Sequence, residues 1–121
     1  MKKGKKLYEG KAKIIYATTD KDLIIQYFKD DATAFNNEKH EVIKGKGVLN
    51  NFISSFIMEK LEEAGIETHF LKRLNMREQL VKKVEIIPIE VVVRRRAAGS
   101  ICKRYGVEEG KKFDSPLLEF F

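Results

Sequence analysis

Val48, Leu49, Phe52, Ile53, Phe56, Ile57 and Leu61 recur at spacings of one, three and four residues. That is the period of an α-helix with a single apolar stripe. Glu59, Lys60, Glu62 and Glu63 mark a wet side, and Gly65 followed by Ile66 is a glycine stop. The spacing predicts a helix over residues 47–64 that covers a sheet. It constrains the fold because it is the best helix in the chain, among short β-branched and aromatic runs. Residues 23–29 (Leu-Ile-Ile-Gln-Tyr-Phe-Lys) are the clearest of these runs and read as a strand. Residues 7–9, 13–18, 67–73, 77–83 and 89–93 read as further strands, the last of them buried. The polar stretch 32–46, with Asn36-Asn37, reads as irregular. The class is α+β: an antiparallel-sheet lobe with one main helix, then the start of a second lobe.

The chain has 121 residues, 43% hydrophobic and 35% charged, a folded rather than disordered composition with room for a modest core. No apolar run nears the ~20 residues that span a bilayer. The basic start Met-Lys-Lys-Gly-Lys-Lys is not followed by the apolar segment of a signal peptide, so a cytoplasmic chain is expected, with those lysines as a solvated tail. The one cysteine, Cys102, rules out an internal disulfide, and His40 and His69 lack a metal-ligand spacing. Asp30 and Asp31 are adjacent carboxylates. Neighbouring side chains point apart, so a solvated turn is expected there rather than a magnesium site. A net charge of +6 suits an anionic partner.

Two stretches offer anion chemistry. Residues 88–105 run from a strand through Arg94, Arg95 and Arg96 into Ala97-Ala98-Gly99-Ser100 and a short helix with Ile101, Cys102 and Tyr105 on one side. A helix start offers unpaired N–H groups, and arginine a two-pronged donor that matches phosphate. The plainer alternative is a solvated basic strand end beside an ordinary cap. The other stretch is a hairpin with Gly10 at its tip and Lys11 and Lys13 beside it. Glycine allows close backbone approach to a phosphate, although a plain hairpin with exposed lysines has the same pattern. The glycine-and-lysine entrance Lys44-Gly45-Lys46-Gly47 is a third, weaker place for an anion. After the second helix, Asp114-Ser115-Pro116 reads as a turn, and residues 117–121 as the beginning of an element without its partner.

Four blocks together resemble the bacterial SAICAR synthetase family. They are Leu-Tyr-Glu-Gly-Lys-Ala-Lys at 7–13, Lys-Gly-Val-Leu-Asn-Asn at 46–51, Leu-Val-Lys-Lys at 80–83, and Val-Val-Val-Arg-Arg-Arg-Ala-Ala-Gly-Ser at 91–100, continuing to Lys103-Arg104. The resemblance implies two α+β lobes similar to ATP-grasp enzymes and protein kinases: residues 1–85 as an ATP-binding lobe and 86–121 as the beginning of a substrate lobe. It implies ligation of L-aspartate to a carboxyaminoimidazole ribonucleotide with hydrolysis of ATP. Gly10, Lys11, Ala12 and Lys13 would cover the ATP phosphates, with Lys13 nearest the chemistry. Lys82, Val84 and Ile86 would line the adenine slot, and Arg94 and Ser100 would hold the ribonucleotide phosphate. Arg95, where bacterial relatives often carry asparagine, would be peripheral. The resemblance further implies a homodimer, no nucleic-acid or membrane partner, and magnesium ligands beyond Phe121. The family's length is roughly twice this chain's, so these residues alone are not expected to catalyse the ligation. A small basic nucleic-acid-binding module and a noncatalytic nucleotide-binding lobe are the competing readings.

Overall fold

The computed structural model describes residues 1–34 and 39–121, so Asn36 and Asn37 lie outside the described residues. In chain order the elements are β1 (Lys6–Glu9), β2 (Lys13–Ala17), β3 (Leu23–Phe28), β4 (Asp31–Ala34), β5 (Lys39–Val42), α1 (Lys46–Glu63), β6 (Phe70–Arg73), β7 (Glu78–Lys82), β8 (Val91–Arg96), α2 (Ser100–Tyr105) and β9 (Lys112–Phe120). They fall into two compact units, Met1–Val84 and Glu85–Phe121.

In the first unit the β-branched run of β3 becomes the middle of a five-stranded antiparallel sheet, ordered β1-β2-β3-β7-β6. Ile25 of β3 pairs with Leu80 of β7, and Ile24 with Val81. Ile25, Leu80 and Val81, with Phe28 and Phe70, form the buried core. The basic N-terminus is not the expected loose tail. Gly4 N donates to Ala17 O at 2.7 Å, and Ala17 N to Lys5 O at 2.9 Å. The Lys3 ammonium lies 2.7 Å from Glu78 Oε2 and 5.0 Å from the Tyr16 ring centroid. β4 and β5 pair antiparallel where sequence predicted irregular chain. His69, predicted in a strand, sits just before β6.

α1 has the predicted extent to within a residue at each end, but the opposite face is buried. Gly47, Asn51 and Ser55 are buried, while Leu49, Phe52, Ile53, Phe56 and Ile57 are exposed. The reason is close backbone approach followed by hydrogen bonding. A Cβ on Gly47 would overlap Phe28 O. Asn51 Nδ2 donates to Asn75 O at 2.9 Å, and Ser55 Oγ donates to Asn51 O at 2.7 Å while accepting from Gln79 Nε2 at 3.3 Å. At the far end Gly65 has φ 86°, and Gly65 N and Ile66 N donate to Glu62 O and Leu61 O. This is the expected glycine stop.

In the second unit β8 pairs antiparallel with β9. The expected buried strand at 89–93 is displaced to Val91–Arg96, and Val91 and Val93 are exposed. β-Branched residues fit a pleated surface, but a two-stranded sheet buries little of it. Residues 117–121 do have their partner: Val91 pairs with Phe120 and Arg94 with Leu117. Asp114-Ser115-Pro116 lies within β9 rather than in a turn, and there the register jumps, from Arg94↔Leu117 to Arg96↔Lys112. A proline without an N–H fits at such an irregularity. Ile101 of α2 is buried, whereas Tyr105, predicted on the same side, is exposed.

Candidate functional site

The tip between β1 and β2 is closed by Gly10 N, which donates to Lys13 O at 2.9 Å. A Cβ at Gly10 would press on the Tyr8 ring, 3.1 Å from its nearest atom. Lys29, just after β3, fastens this hairpin. Its N–H donates to Ala12 O at 2.8 Å, and its ammonium donates to Glu9 Oε2 at 2.8 Å and Gly10 O at 3.3 Å. Glu9 is thereby held below the usual carboxylate range, first by Lys29 and then by Lys6. Lys11 and Lys13 are exposed, and neither has a carboxylate within ion-pair distance among the described residues. The Lys13 ammonium lies 5.6 Å from the Phe28 ring centroid. The hairpin therefore presents two cations on a backbone fixed from outside.

Next to Lys13 is a pair that sequence reading did not select. Gln26 Nε2 lies 3.4 Å from His69 Nε2, a contact in which the amide donates and a neutral ring accepts. Burial first, and then the Lys13 charge, lowers the His69 pKa and keeps the ring neutral. Further along, Lys82 N donates to His69 O at 2.7 Å and Lys83 N to Asp22 O at 2.8 Å. Of residues 82–84, only Val84 keeps its N–H without an acceptor among the described residues. Val84 is half exposed. Ile86, in the second unit, is 83% exposed.

In the second unit the arginines are held differently. Arg94 Nε donates to Glu119 Oε1 at 2.7 Å, and its Nη1 to Ala98 O at 2.8 Å. Arg104 Nη1 donates to Glu119 Oε2 at 2.6 Å, and its Nη2 to Glu119 Oε1 at 3.2 Å and Ser100 Oγ at 3.4 Å. Arg104 is the larger cause, and Arg94 a smaller one, of a Glu119 pKa below the usual carboxylate range. Arg94 and Ser100, six residues apart in sequence, are thus joined through Arg104 and Glu119. α2 has only six residues, so these side chains carry the site rather than a helix dipole. Arg95 is exposed, and Arg96 donates to Gly110 O at 3.1 Å. Glu119 was detectable in sequence, as the one charge within Leu-Leu-Glu-Phe-Phe, where a carboxylate needs a cation.

Two other sequence candidates turn out to be structural. The α1 entrance is filled by Asp30, whose carboxylate accepts from Gly45 N at 3.2 Å and Gly47 N at 2.8 Å and from both Arg77 Nη atoms at 2.6 and 2.9 Å. Arg77 first, then the Gly47 N–H, holds Asp30 far below the ordinary carboxylate range. Asp31 meets His40 at 3.0 Å and Lys29 at 3.6 Å. The adjacent aspartates are therefore neither a solvated turn nor a free metal site. A hollow of about 860 Å³, open to solvent, lies between α1 and β6 and includes Lys82 but not the Gly10 hairpin.

Comparison with known proteins bears on these groupings. The sequence profile of SAICAR synthetase matches residues 6–121. The chain belongs to the SAICAR synthetase family. It is 64% identical to the phosphoribosylaminoimidazole-succinocarboxamide synthase of Wolbachia pipientis subsp. Culex pipiens over all of its own length and 50% of the relative's. The crystal structure of the Ehrlichia chaffeensis synthase superposes with a TM-score of 0.91 and 59% identity, covering 96% of this chain and 49% of that one. A SAICAR synthetase in complex with ADP gives 0.86 and 46%, covering 93% and 48%. The chain thus spans about half the length of the relatives it matches. The α+β class and the antiparallel sheet with one main helix agree with that family fold.

Proposed function

We propose that this chain carries the ATP-phosphate and ribonucleotide-phosphate sites of a cytoplasmic, homodimeric SAICAR synthetase. That enzyme joins L-aspartate to 5-amino-1-(5-phosphoribosyl)imidazole-4-carboxylate and converts ATP to ADP and phosphate. The observation that carries the reading is the family match over residues 6–121, which includes the Gly10 hairpin with Lys11 and Lys13. A related synthetase complexed with ADP supports a nucleotide site.

The Gly10 hairpin fits a polyphosphate. Lys11 and Lys13 meet no competing carboxylate among the described residues, and the Ala12 carbonyl is already bonded to Lys29 N, so it is turned from the anion. Lys13 is the group assigned to the transferring phosphoryl, where a positioned cation stabilises the charge that spreads onto its oxygens. ATP supplies the phosphoryl group that activates the ribonucleotide's carboxylate. Lys82 and Val84 are assigned to the adenine, with the free Val84 N–H as the donor to the purine edge; Ile86 joins them by family resemblance alone. Arg94 and Ser100 are assigned to the ribonucleotide phosphate. Magnesium would accompany the ATP phosphates in this reading; Asp30 and Asp31 do not serve it, because they already meet Arg77, His40 and Lys29.

Calorimetric titration tests the assignment. ATP should bind the chain, and Lys13→Ala should weaken it about tenfold or more, as expected for losing a charge-assisted contact. Undiminished ATP affinity in Lys13→Ala rejects the hairpin as the phosphate site.

A further inference from the structure

We propose that Glu119 is a positioning residue of the phosphate-monoester site, fixing Arg94 and Arg104 so that their free N–H groups and the Ser100 hydroxyl are available to one oxyanion. The inference rests on the assignment of Arg94 and Ser100 to the ribonucleotide phosphate and goes beyond it, because Glu119 itself repels an anion.

A guanidinium has five N–H groups. Glu119 takes Nε–H of Arg94 and Ala98 O takes one Nη1–H, which leaves the second Nη1–H and both Nη2 hydrogens. The remaining edge is the two-pronged one that matches phosphate oxygens. Ser100 Oγ accepts from Arg104 Nη2, so its own proton is free to donate outward. The Glu119 side chain is 9% exposed, its two oxygens facing two cations. Both guanidinium groups share Oε1, at 2.7 and 3.2 Å. Without the carboxylate, two like charges at that spacing repel and splay apart. With it the cluster of two cations and one anion carries a formal charge of +1, matched to a phosphate monoester rather than to a polyanion. Its ends come from β8, α2 and β9, so one side chain sets the geometry of groups on three elements.

The test is titration of the full 121-residue chain with ribose 5-phosphate, followed through the arginine Nε–Hε signals in nitrogen-resolved NMR. Wild-type chain should bind, with the Arg94 signal displaced at the start by its carboxylate partner. Glu119→Gln should move that signal toward the free-arginine position and weaken binding about tenfold, and Glu119→Asp should fall between the two. If wild type binds, Arg94→Ala abolishes binding and Glu119→Gln binds like wild type, the positioning role is wrong and the phosphate assignment stands. If wild type does not bind, or Arg94→Ala binds equally well, the phosphate assignment itself fails and the inference goes with it. Should Glu119→Gln collapse the amide spectrum of residues 85–121, Glu119→Asp decides: severalfold weaker binding with an intact spectrum supports the role, and wild-type affinity overturns it.

Discussion

The cations near Gly10 and those near Ser100 are held in opposite ways. Lys11 and Lys13 extend from a turn fastened by backbone hydrogen bonds and by Lys29, with no carboxylate of their own among the described residues. Arg94 and Arg104 are gripped by Glu119. The first arrangement leaves flexible point charges able to follow a phosphoryl group as it moves. In the proposed reading the second fixes a planar fork for a phosphate that stays in place. The supports differ as well. The first unit rests on a core of Ile25, Phe28, Phe70, Leu80 and Val81, whereas the second buries only Ala97 and Ile101 of its apolar residues. Packing therefore positions the lysines, and an ion-pair cluster positions the arginines.

The strongest way to break that contrast is Gly47→Ala. Its Cβ would overlap Phe28 O, beside the Lys29 that fastens the hairpin. We expect a loss of about 3 kcal/mol in urea unfolding, at the upper end of overpacking costs, together with weakened ATP binding. An unchanged midpoint would show that α1 does not rely on close approach. Lys13→Ala should do the reverse: ATP affinity falls about 10–100-fold while the unfolding midpoint holds, because an exposed lysine supports no packing.

Acid should expose the carboxylate that fills the α1 entrance. Asp30 has its folded pKa depressed by Arg77 and the Gly47 N–H. Its contribution is fully present above the unfolded value of about 3.9 and is lost as pH falls toward the folded value. The wild-type urea midpoint should therefore drop from pH 5 to pH 2. Asp30→Asn should have a lower midpoint at pH 7 and a shallower acid decline; parallel curves for the two proteins would remove Asp30 from the account. The smallest effect is expected at Ile53→Ser. Ile53 is 56% exposed, so stability should change by no more than about 0.5 kcal/mol, where a residue on the sheet-facing side would cost several times that.

Much of this architecture was legible in the sequence. The β-branched run at 23–29 gave β3, one residue shorter than expected, and the apolar spacing with Gly65 gave the ends of α1. The buried face of α1 was not legible, because hydrophobic periodicity favours the apolar stripe while Gly47, Asn51 and Ser55 were selected by contacts with residues 28, 75 and 79. β4 and β5 were hidden by polar sequences, Asp-Ala-Thr-Ala and Lys-His-Glu-Val. β9 was hidden by Pro116, tolerated where the register jumps. At the candidate sites, glycine and lysine spacing marked the hairpin and the arginine run marked residues 94–96 as anion candidates, while the family resemblance alone singled out Arg94 and Ser100. Lys29, Gln26, His69 and Arg104 became visible as partners only when distant segments were brought together. The α1 entrance misled for the same reason: its anion is the chain's own Asp30.

In the proposed reading two separately built cationic sets serve two different ligands. The most direct measurement is a pair of amide NMR titrations on the 121-residue chain, one with ATP and one with the carboxyaminoimidazole ribonucleotide, each repeated in Lys13→Ala and Arg94→Ala. The account predicts that ATP shifts residues 10–13 and Val84 and loses affinity only in Lys13→Ala, while the ribonucleotide shifts residues 94–104 and loses affinity only in Arg94→Ala. ATP binding that collapses in Arg94→Ala with ribonucleotide binding unchanged would contradict it.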